Sequence, residues 1–190
     1  MADSSAASSS RRILDARQME RVIRRMAGEI IEQNQGSANL FLVGIRTRGV
    51  PLAEGLAREI GTLEKTTVPS GILDITLYRD DLSVIGPQPV VRPTSLQEPI
   101  DDKVVILCDD VLFTGRTVRA ALDALVDYGR PKAVRLAVLV DRGHRELPIQ
   151  ADFVGKTVET LDDDVIKVAF EDTDGRQEVM LLHGFRAPKS

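Results

Sequence analysis

The sequence predicts an α/β fold in which helices flank a central, mostly parallel sheet. Three observations carry that expectation. Leu40–Ile45, residues 105–107 and residues 134–140 are nearly unbroken apolar runs, the pattern of parallel strands buried on both faces. Segments with apolar residues at helical spacing lie between them, so strand and helix alternate along the chain. Acidic and basic residues cluster where the apolar runs end, which is where an open parallel sheet binds its ligands.

The elements follow in order. Residues 1–12 are expected to form a disordered tail, because the opening stretch is small and serine-rich and lacks the apolar segment of a signal peptide. Residues 13–186 make one domain. A helix starts at Asp15, where Asp15 and Gln18 form a capping-box-like pair, and Met19, Val22, Ile23, Met26, Ala27, Ile30 and Ile31 recur on its core face. Arg17, Arg21, Arg24 and Arg25 line the other side. The strand Leu40–Ile45 feeds the cationic turn Arg46-Thr47-Arg48-Gly49, with Pro51 near the start of a second helix. Residues 72–78 partly alternate and are rich in β-formers, which reads as a strand. Residues 79–97 hold Gly86, Pro87, Pro89 and Pro93 without helical periodicity, and are expected to be a mobile flap or hairpin. A helix over 118–126 ends at Gly129 and Pro131, and the strand over 134–140 follows, with Asp141-Arg142-Gly143-His144 at its end. Strands near 152–154, 165–170 and 178–182 close the chain, the last two joined at the Asp174-Gly175 turn signal.

Composition narrows the class. A chain of 190 residues with 43% hydrophobic and 28% charged residues can bury a full single-domain core. With 4% aromatic residues it lacks the stacking platforms of many single-strand RNA readers, and a net charge of −4 argues against binding nucleic acid with its whole surface. The lone Cys108 cannot form an internal disulfide, and no apolar run is long enough to span a membrane, so a cytoplasmic location is expected.

The most informative segment runs from Val105 into Cys108-Asp109-Asp110-Val111-Leu112-Phe113-Thr114-Gly115-Arg116-Thr117. It reads as a buried strand, two carboxylates at its end and a tight anion-binding turn that opens a helix. Acids at a strand's carboxyl end can reach sugar hydroxyls and a hydrated metal ion, and the turn offers N–H groups and hydroxyls to a phosphate. The Walker B strand of a nucleotidase also ends in aspartates, but its phosphate loop G-x-x-x-x-G-K-[ST] is missing. Gly155-Lys156-Thr157 has only the right ending, since the first glycine would fall on Gln150. A receiver domain's acidic pocket or a plain solvated turn would account for the aspartates, yet not for T-G-R-T opening a helix directly after them.

These residues resemble the signature of the type I phosphoribosyltransferases. The flanking blocks Val43-Gly44-Ile45-Arg46-Thr47-Arg48-Gly49, Asp74-Ile75-Thr76-Leu77-Tyr78-Arg79-Asp80-Asp81-Leu82 and Leu139-Val140-Asp141-Arg142-Gly143-His144-Arg145-Glu146-Leu147-Pro148-Ile149 narrow the resemblance to the PyrR family, covering most of residues 15–155. The resemblance implies a type I phosphoribosyltransferase fold with a flexible loop and a small hood. It implies a uracil phosphoribosyltransferase that makes UMP and diphosphate from uracil and phosphoribosyl diphosphate, and that also regulates pyrimidine operon transcription by UMP-dependent attenuation. On that footing Asp109 and Asp110 are the catalytic pair and hold Mg²⁺, directly or through water. Val111, Leu112, Phe113, Thr114, Gly115, Arg116 and Thr117 take the 5′-phosphate, and Thr47 and Arg48 the diphosphate. Arg142 and Ile166 flank the nucleotide base, and Arg79 and Arg92 on the flap reach substrate phosphates. Arg21, Arg24, Arg25, His144 and Arg145 are candidates for binding leader RNA, and a homodimer or higher homo-oligomer is expected.

One segment departs from the family pattern. Where relatives read G-K-N-[IV]-P-T-S, this chain reads Gly155-Lys156-Thr157-Val158-Glu159-Thr160-Leu161, followed by Asp162-Asp163-Asp164. The loss of Asn, Pro and Ser bears on base choice, and added acid repels RNA phosphates. Gly28 and Gln33 also take polar or basic contacts from the first helix. Two alternatives therefore stand beside the main reading: an RNA-binding attenuator with vestigial enzyme activity, and a transferase for another nucleobase.

Overall fold

A computed structural model of the chain describes residues 9–79 and 92–184. Its strands and helices, in chain order, are β1 (Ser10–Leu14), α1 (Ala16–Asn34), β2 (Leu40–Ile45), α2 (Gly49–Glu64), β3 (Ser70–Leu73), β4 (Val104–Leu112), α3 (Arg116–Leu125), β5 (Ala133–Asp141), β6 (Phe153–Thr157), β7 (Val165–Ala169), α4 (Glu171–Asp174) and β8 (Glu178–Leu182). β2 to β6 form a parallel five-stranded sheet in the order β3-β2-β4-β5-β6, while β1, β8 and β7 form a separate antiparallel sheet, the expected hood.

The apolar runs are explained by burial on two sides. All six residues of β2 are buried, with Leu40 and Leu42 facing the core under α1 and α2, and Phe41, Val43 and Ile45 facing the core under α3. Met19, Met26, Ile30, Leu52, Leu56 and Ile60 fill the first layer with Ile106 and Leu139; Val118, Ala121 and Leu125 fill the second with Val105 and Leu107. The hood joins the first layer through Ile166, Val168, Phe170, Val179 and Leu181.

Sheet order fixes where a ligand can bind. From β2 the chain turns one way to β3, then returns to place β4 on the other side of β2, from which β5 and β6 continue outward. The strand order reverses between β2 and β4, so the loops leaving their carboxyl ends diverge and open a crevice. Gly44 of β2 pairs with Cys108 of β4, which sets the Arg46–Gly49 turn level with the acidic doublet.

Several boundaries differ from the sequence expectation. The tail expected to reach residue 12 ends earlier: Ser10–Leu14 is a strand paired with β8, and the His183 N–H donates to the Ser9 carbonyl at 2.9 Å. β3 stops at Leu73 rather than continuing to residue 78, because the Asp74 carboxylate accepts the Thr76 N–H at 2.8 Å and folds the chain into a turn. β6 spans Phe153–Thr157, later than the 152–154 expected, and a short helical turn, α4, precedes Gly175 between β7 and β8. The helix after the central motif starts two residues sooner than expected, at Arg116. Most of the 79–97 flap lies outside the described residues. Its return limb is held against β3, where Ile72 and Ser95 exchange backbone hydrogen bonds of 2.8 Å.

Candidate active site

The acidic doublet belongs to β4 itself. The strand runs on to Leu112, so Asp109 and Asp110 sit within its last residues, with Asp109 7% exposed and Asp110 half-buried. Burial pushes both carboxyls above the ordinary aspartate value, and the charge of Asp110 raises Asp109 further. At Asp110 the nearby Arg48 guanidinium counteracts the effect of burial. The Asp110 N–H donates to Asp109 Oδ1 at 3.0 Å, which orients the first carboxylate. Cys108 is a packing residue, since it is fully buried and burial pushes its thiol up.

The cationic turn meets the acids through a glycine. A Cβ built on Gly49 would lie 2.2 Å from the Cys108 carbonyl oxygen and 3.3 Å from Asp109 Cα, so the first residue of α2 rests on the β4 backbone. Only glycine permits that approach. Thr47 is exposed, and the Arg46–Thr47 peptide bond is cis. Arg48 donates from Nη2 to Asp174 Oδ1 of the hood at 2.8 Å, while its Nε is buried without a hydrogen-bond partner. A desolvated donor beside the acid pair is the feature an anionic ligand would satisfy.

The phosphate turn is fixed by its neighbours. Gly115 caps α3 with φ +93°, in the left-handed region that glycine adopts at little cost, and the Arg116 N–H leans on Thr114 Oγ1 at 3.4 Å. The Glu146 and Leu147 N–H groups both donate to the Thr114 carbonyl, at 3.0 and 3.2 Å. Arg145 braces the turn from below: it donates to the Phe113 carbonyl at 2.8 Å and the Ile149 carbonyl at 3.0 Å, and pairs with Asp141. Val111 packs against the core under α1 and α2, Leu112 is buried, and Thr117 is exposed in the first turn of α3.

The loop after β6 folds back over this turn. Arg142, 5% exposed, donates to Thr160 Oγ1 at 3.1 Å, the Asp164 carbonyl at 2.7 Å and the Leu161 carbonyl at 2.9 Å. Its guanidinium carbon lies 4.0 Å from the centroid of the Phe113 ring, against whose edge or face His144 also packs at 5.9 Å. His144 faces two acceptors, Asp162 Oδ1 and the Thr160 carbonyl, each at 2.8 Å, so both contacts are hydrogen bonds only for the doubly protonated ring. Asp164 is buried, with one oxygen accepting the Leu161 N–H and the other facing His183 Nδ1, both at 2.8 Å. The Leu161 hydrogen bond leads in holding its carboxyl below the ordinary range.

Two further carboxylates join the site that local reading of the sequence passes over. Asp74 is 8% exposed and ties both limbs of the flap root: Oδ1 accepts the Thr76 N–H and Oδ2 the Arg92 N–H at 2.9 Å, with Arg46 Nε at 3.9 Å. Burial opposes its ionisation, yet the hydrogen bonds from Thr76 and Arg92 and the charge of Arg46 hold its carboxyl below the ordinary value. The D-x-T spacing of an Asx turn is its only local signal. Asp174 meets Arg48 from the hood, and its local signal, the Asp174-Gly175 turn, marks a chain reversal and not a place in the site.

The other expected residues separate into groups. Ile166 is 9% exposed within the hydrophobic core, on β7 opposite Leu181. Arg79 and Arg92 are both exposed at the two roots of the flap. Of the basic residues on α1, Arg21 is exposed, Arg24 pairs with Glu59 at 3.2 Å, and Arg25 pairs with Glu29 and donates to the Val154 and Gly155 carbonyls at 3.1 and 2.6 Å. Among the described residues no three or more His, Cys, Asp or Glu side chains cluster as a complete metal cage, and no helix is long and apolar enough to cross a membrane.

Residues 9–174 match the phosphoribosyl transferase domain family. The bifunctional protein PyrR of Pelotomaculum thermopropionicum is 58% identical over 90% of this chain and 94% of its own length, and that of Deinococcus radiodurans is 56% identical over 90% and 93%. The chain belongs to the PyrR family. Its function class is that of the family, uracil phosphoribosyl transfer combined with UMP-dependent regulation of pyrimidine operon transcription. The fold also matches the crystal structure of the hypoxanthine phosphoribosyltransferase of Trypanosoma cruzi, with a TM-score of 0.69 at 15% identity over 94% of this chain and 97% of that one. PyrR and other phosphoribosyltransferases in general require phosphoribosyl diphosphate as its magnesium complex.

Proposed function

We propose that the crevice between β2 and β4 binds phosphoribosyl diphosphate and uracil and releases UMP and diphosphate, with residues in the following roles. Asp109 and Asp110 hold the ribose hydroxyls and Mg²⁺, directly or through water. The buried Asp109 and half-buried Asp110 carboxylates are hard oxygen donors that repel each other when both ionise, and a magnesium site built from one or two carboxylates plus substrate oxygens suits them. When bound, Mg²⁺ offsets charge on the departing diphosphate. Thr47 and Arg48 take that diphosphate, and the buried, unpartnered Arg48 Nε supports this role most directly.

Residues 111–117 anchor the 5′-phosphate at the N-terminus of α3. Binding energy gained there, remote from C1′, fixes the ring for displacement of diphosphate by the base nitrogen. No side chain needs to act as a nucleophile, because positioning and electrostatic stabilisation supply the acceleration. Arg142 flanks the nucleotide by shaping the loop over Phe113 rather than through spare donors, and Ile166 supports the base side from within the core. Arg79 and Arg92 stand at the flap roots, where they can approach substrate phosphates. The regulatory half of the function uses leader RNA as partner, with Arg21 an exposed basic contact on α1; Arg24, Arg25, His144 and Arg145 would first have to leave the pairings described above. A cytoplasmic homodimer or higher homo-oligomer goes with this reading.

One observation carries it: an acid pair, a desolvated arginine donor and a left-handed glycine at a helix start converge on the switch point of a parallel sheet. The decisive assay is diphosphate release from uracil and phosphoribosyl diphosphate with Mg²⁺, with hypoxanthine and orotate as competitors. Turnover no greater than that of an Asp110→Asn control would refute the enzyme assignment. Filter binding of the pyrimidine-operon leader RNA, with and without UMP, tests the regulator, which requires tighter binding in the presence of UMP.

A further inference from the structure

We infer that Asp174, in the hood, is a positioning residue that holds Arg48 ready for diphosphate. The inference rests on the reading that Arg48 binds that group. Arg48 has two carboxylates within its electrostatic reach, Asp174 on one side and Asp110 of the acid pair on the other. Were it to pair with Asp110, the guanidinium would neutralise the carboxylate needed for ribose and metal. Asp174 offers the competing anchor.

Its own position is rigid. Asp174 Oδ2 accepts the Phe170 N–H at 3.0 Å, its backbone N–H donates to the Phe170 carbonyl at 2.7 Å, and Phe170 is buried in the core. The remaining oxygen, Oδ1, takes Arg48 Nη2 at 2.8 Å. The hydrogen bond from Phe170 leads in holding the Asp174 carboxyl below the ordinary range, so the anchor is anionic at neutral pH. Only one donor of the guanidinium fork is used there, and the buried Nε keeps no partner. The geometry therefore tethers one end of the fork and leaves the rest for a ligand's oxygens.

The test is a double-mutant cycle of Asp174→Ala and Arg48→Ala, with Asp174→Asn beside it, in which KM for phosphoribosyl diphosphate and for uracil, kcat and thermal melting are measured on the full chain. Asp174→Ala is expected to raise KM for phosphoribosyl diphosphate about tenfold, as for loss of a charge-assisted hydrogen bond that orders a ligand-binding arginine. KM for uracil stays within about twofold, Asp174→Asn falls between, and in the Arg48→Ala background the Asp174 effect shrinks below about twofold. The inference is overturned if Asp174→Ala leaves that KM unchanged, affects both substrates alike, or acts equally in the Arg48→Ala background. If Arg48→Ala itself leaves the KM unchanged, the diphosphate assignment fails and takes the inference with it. If Arg48→Ala is damaging and Asp174→Ala inert, only the role of Asp174 is lost. Should Asp174→Ala lower the melting temperature steeply, Asp174→Asn supplies the same comparison with the side-chain shape kept.

Discussion

Replacing Gly49 by alanine tests whether contact between α2 and β4 sets the distance between the two halves of the site. The added Cβ would stand 2.2 Å from the Cys108 carbonyl oxygen, and the atom it meets is backbone in the middle of a sheet, unable to swing away. Ordinary contact needs α2 to retreat by roughly 1 Å, since non-bonded heavy atoms settle at about 3.5 Å. Overpacking of this kind costs about 1–3 kcal/mol in stability. The larger effect falls on activity, because the retreat carries Thr47 and Arg48 away from Asp109 and Asp110, and a misplacement of about 1 Å between groups that share one substrate can cost about a hundredfold in rate. Urea denaturation gives the stability change, and steady-state kinetics with saturating Mg²⁺ gives kcat and KM for phosphoribosyl diphosphate. A Gly49→Ala protein that folds with wild-type stability and turns over within twofold of wild type would refute the argument that this contact registers the loop against the acids.

Three other outcomes are expected. Arg142→Ala strands the Thr160, Leu161 and Asp164 acceptors and removes the cation over Phe113, so it should cost about 3 kcal/mol by chemical denaturation, and Arg142→Lys should recover little because an ammonium cannot reproduce the planar fork. Gly115→Ala forces a side chain into φ +93° against Ile149, with a cost of about 1–2 kcal/mol and a raised KM for phosphoribosyl diphosphate, while KM for uracil moves less. Asp109 binds its proton more tightly folded than unfolded, so wild-type stability should fall as pH rises from the ordinary carboxylate range through its raised value. Asp109→Asn removes that loss, and in magnesium-free buffer it should melt above wild type at neutral pH, with the gap closing toward about pH 4; a gap independent of pH would contradict the assigned shift.

What the sequence reveals about this molecule is set by how local each cause is. The capping box on α1 is complete, with Asp15 and Gln18 exchanging hydrogen bonds of 2.8 and 2.9 Å, because both partners lie within one turn. The central motif is legible for the same reason: strand, acids, turn and helix follow one another without interruption. β1 is not legible, because Ser10-Arg11-Arg12 looks like solvated tail until β8, from the far end of the chain, supplies its hydrogen bonds. Alternation beyond Leu73 suggests a longer β3, but the Asp74 side chain competes for the backbone and ends it. Arg25 reads as part of a basic outer face, yet the β6 carbonyls beside it take its donors. Ile166, expected beside the nucleotide base, is 9% exposed in the core that the hood shares with the sheet, a placement that only the folded hood reveals.

The acidic departure at residues 162–164 takes on a physical sense once its partners are known. Asp162 faces His144 and Asp164 faces His183, while the carbonyls of Leu161 and Asp164 receive Arg142. Asp164 is buried and faces His183, Asp162 pairs with His144 while its own side chain stays exposed, and Asp163 is exposed without a described ion pair. The loop can lose the Asn, Pro and Ser of the family pattern and still keep one shape, because Arg142 and Asp164 now define its backbone from both ends. The Asp162 pairing engages His144 Nδ1. Asp162 thus competes with an RNA phosphate for His144 Nδ1, while the other ring nitrogen faces the Thr160 carbonyl. Asp162→Asn should loosen that contact and strengthen leader binding severalfold at low salt, with little change in KM for phosphoribosyl diphosphate. If RNA affinity stays constant across that substitution, His144 contributes nothing to the RNA face.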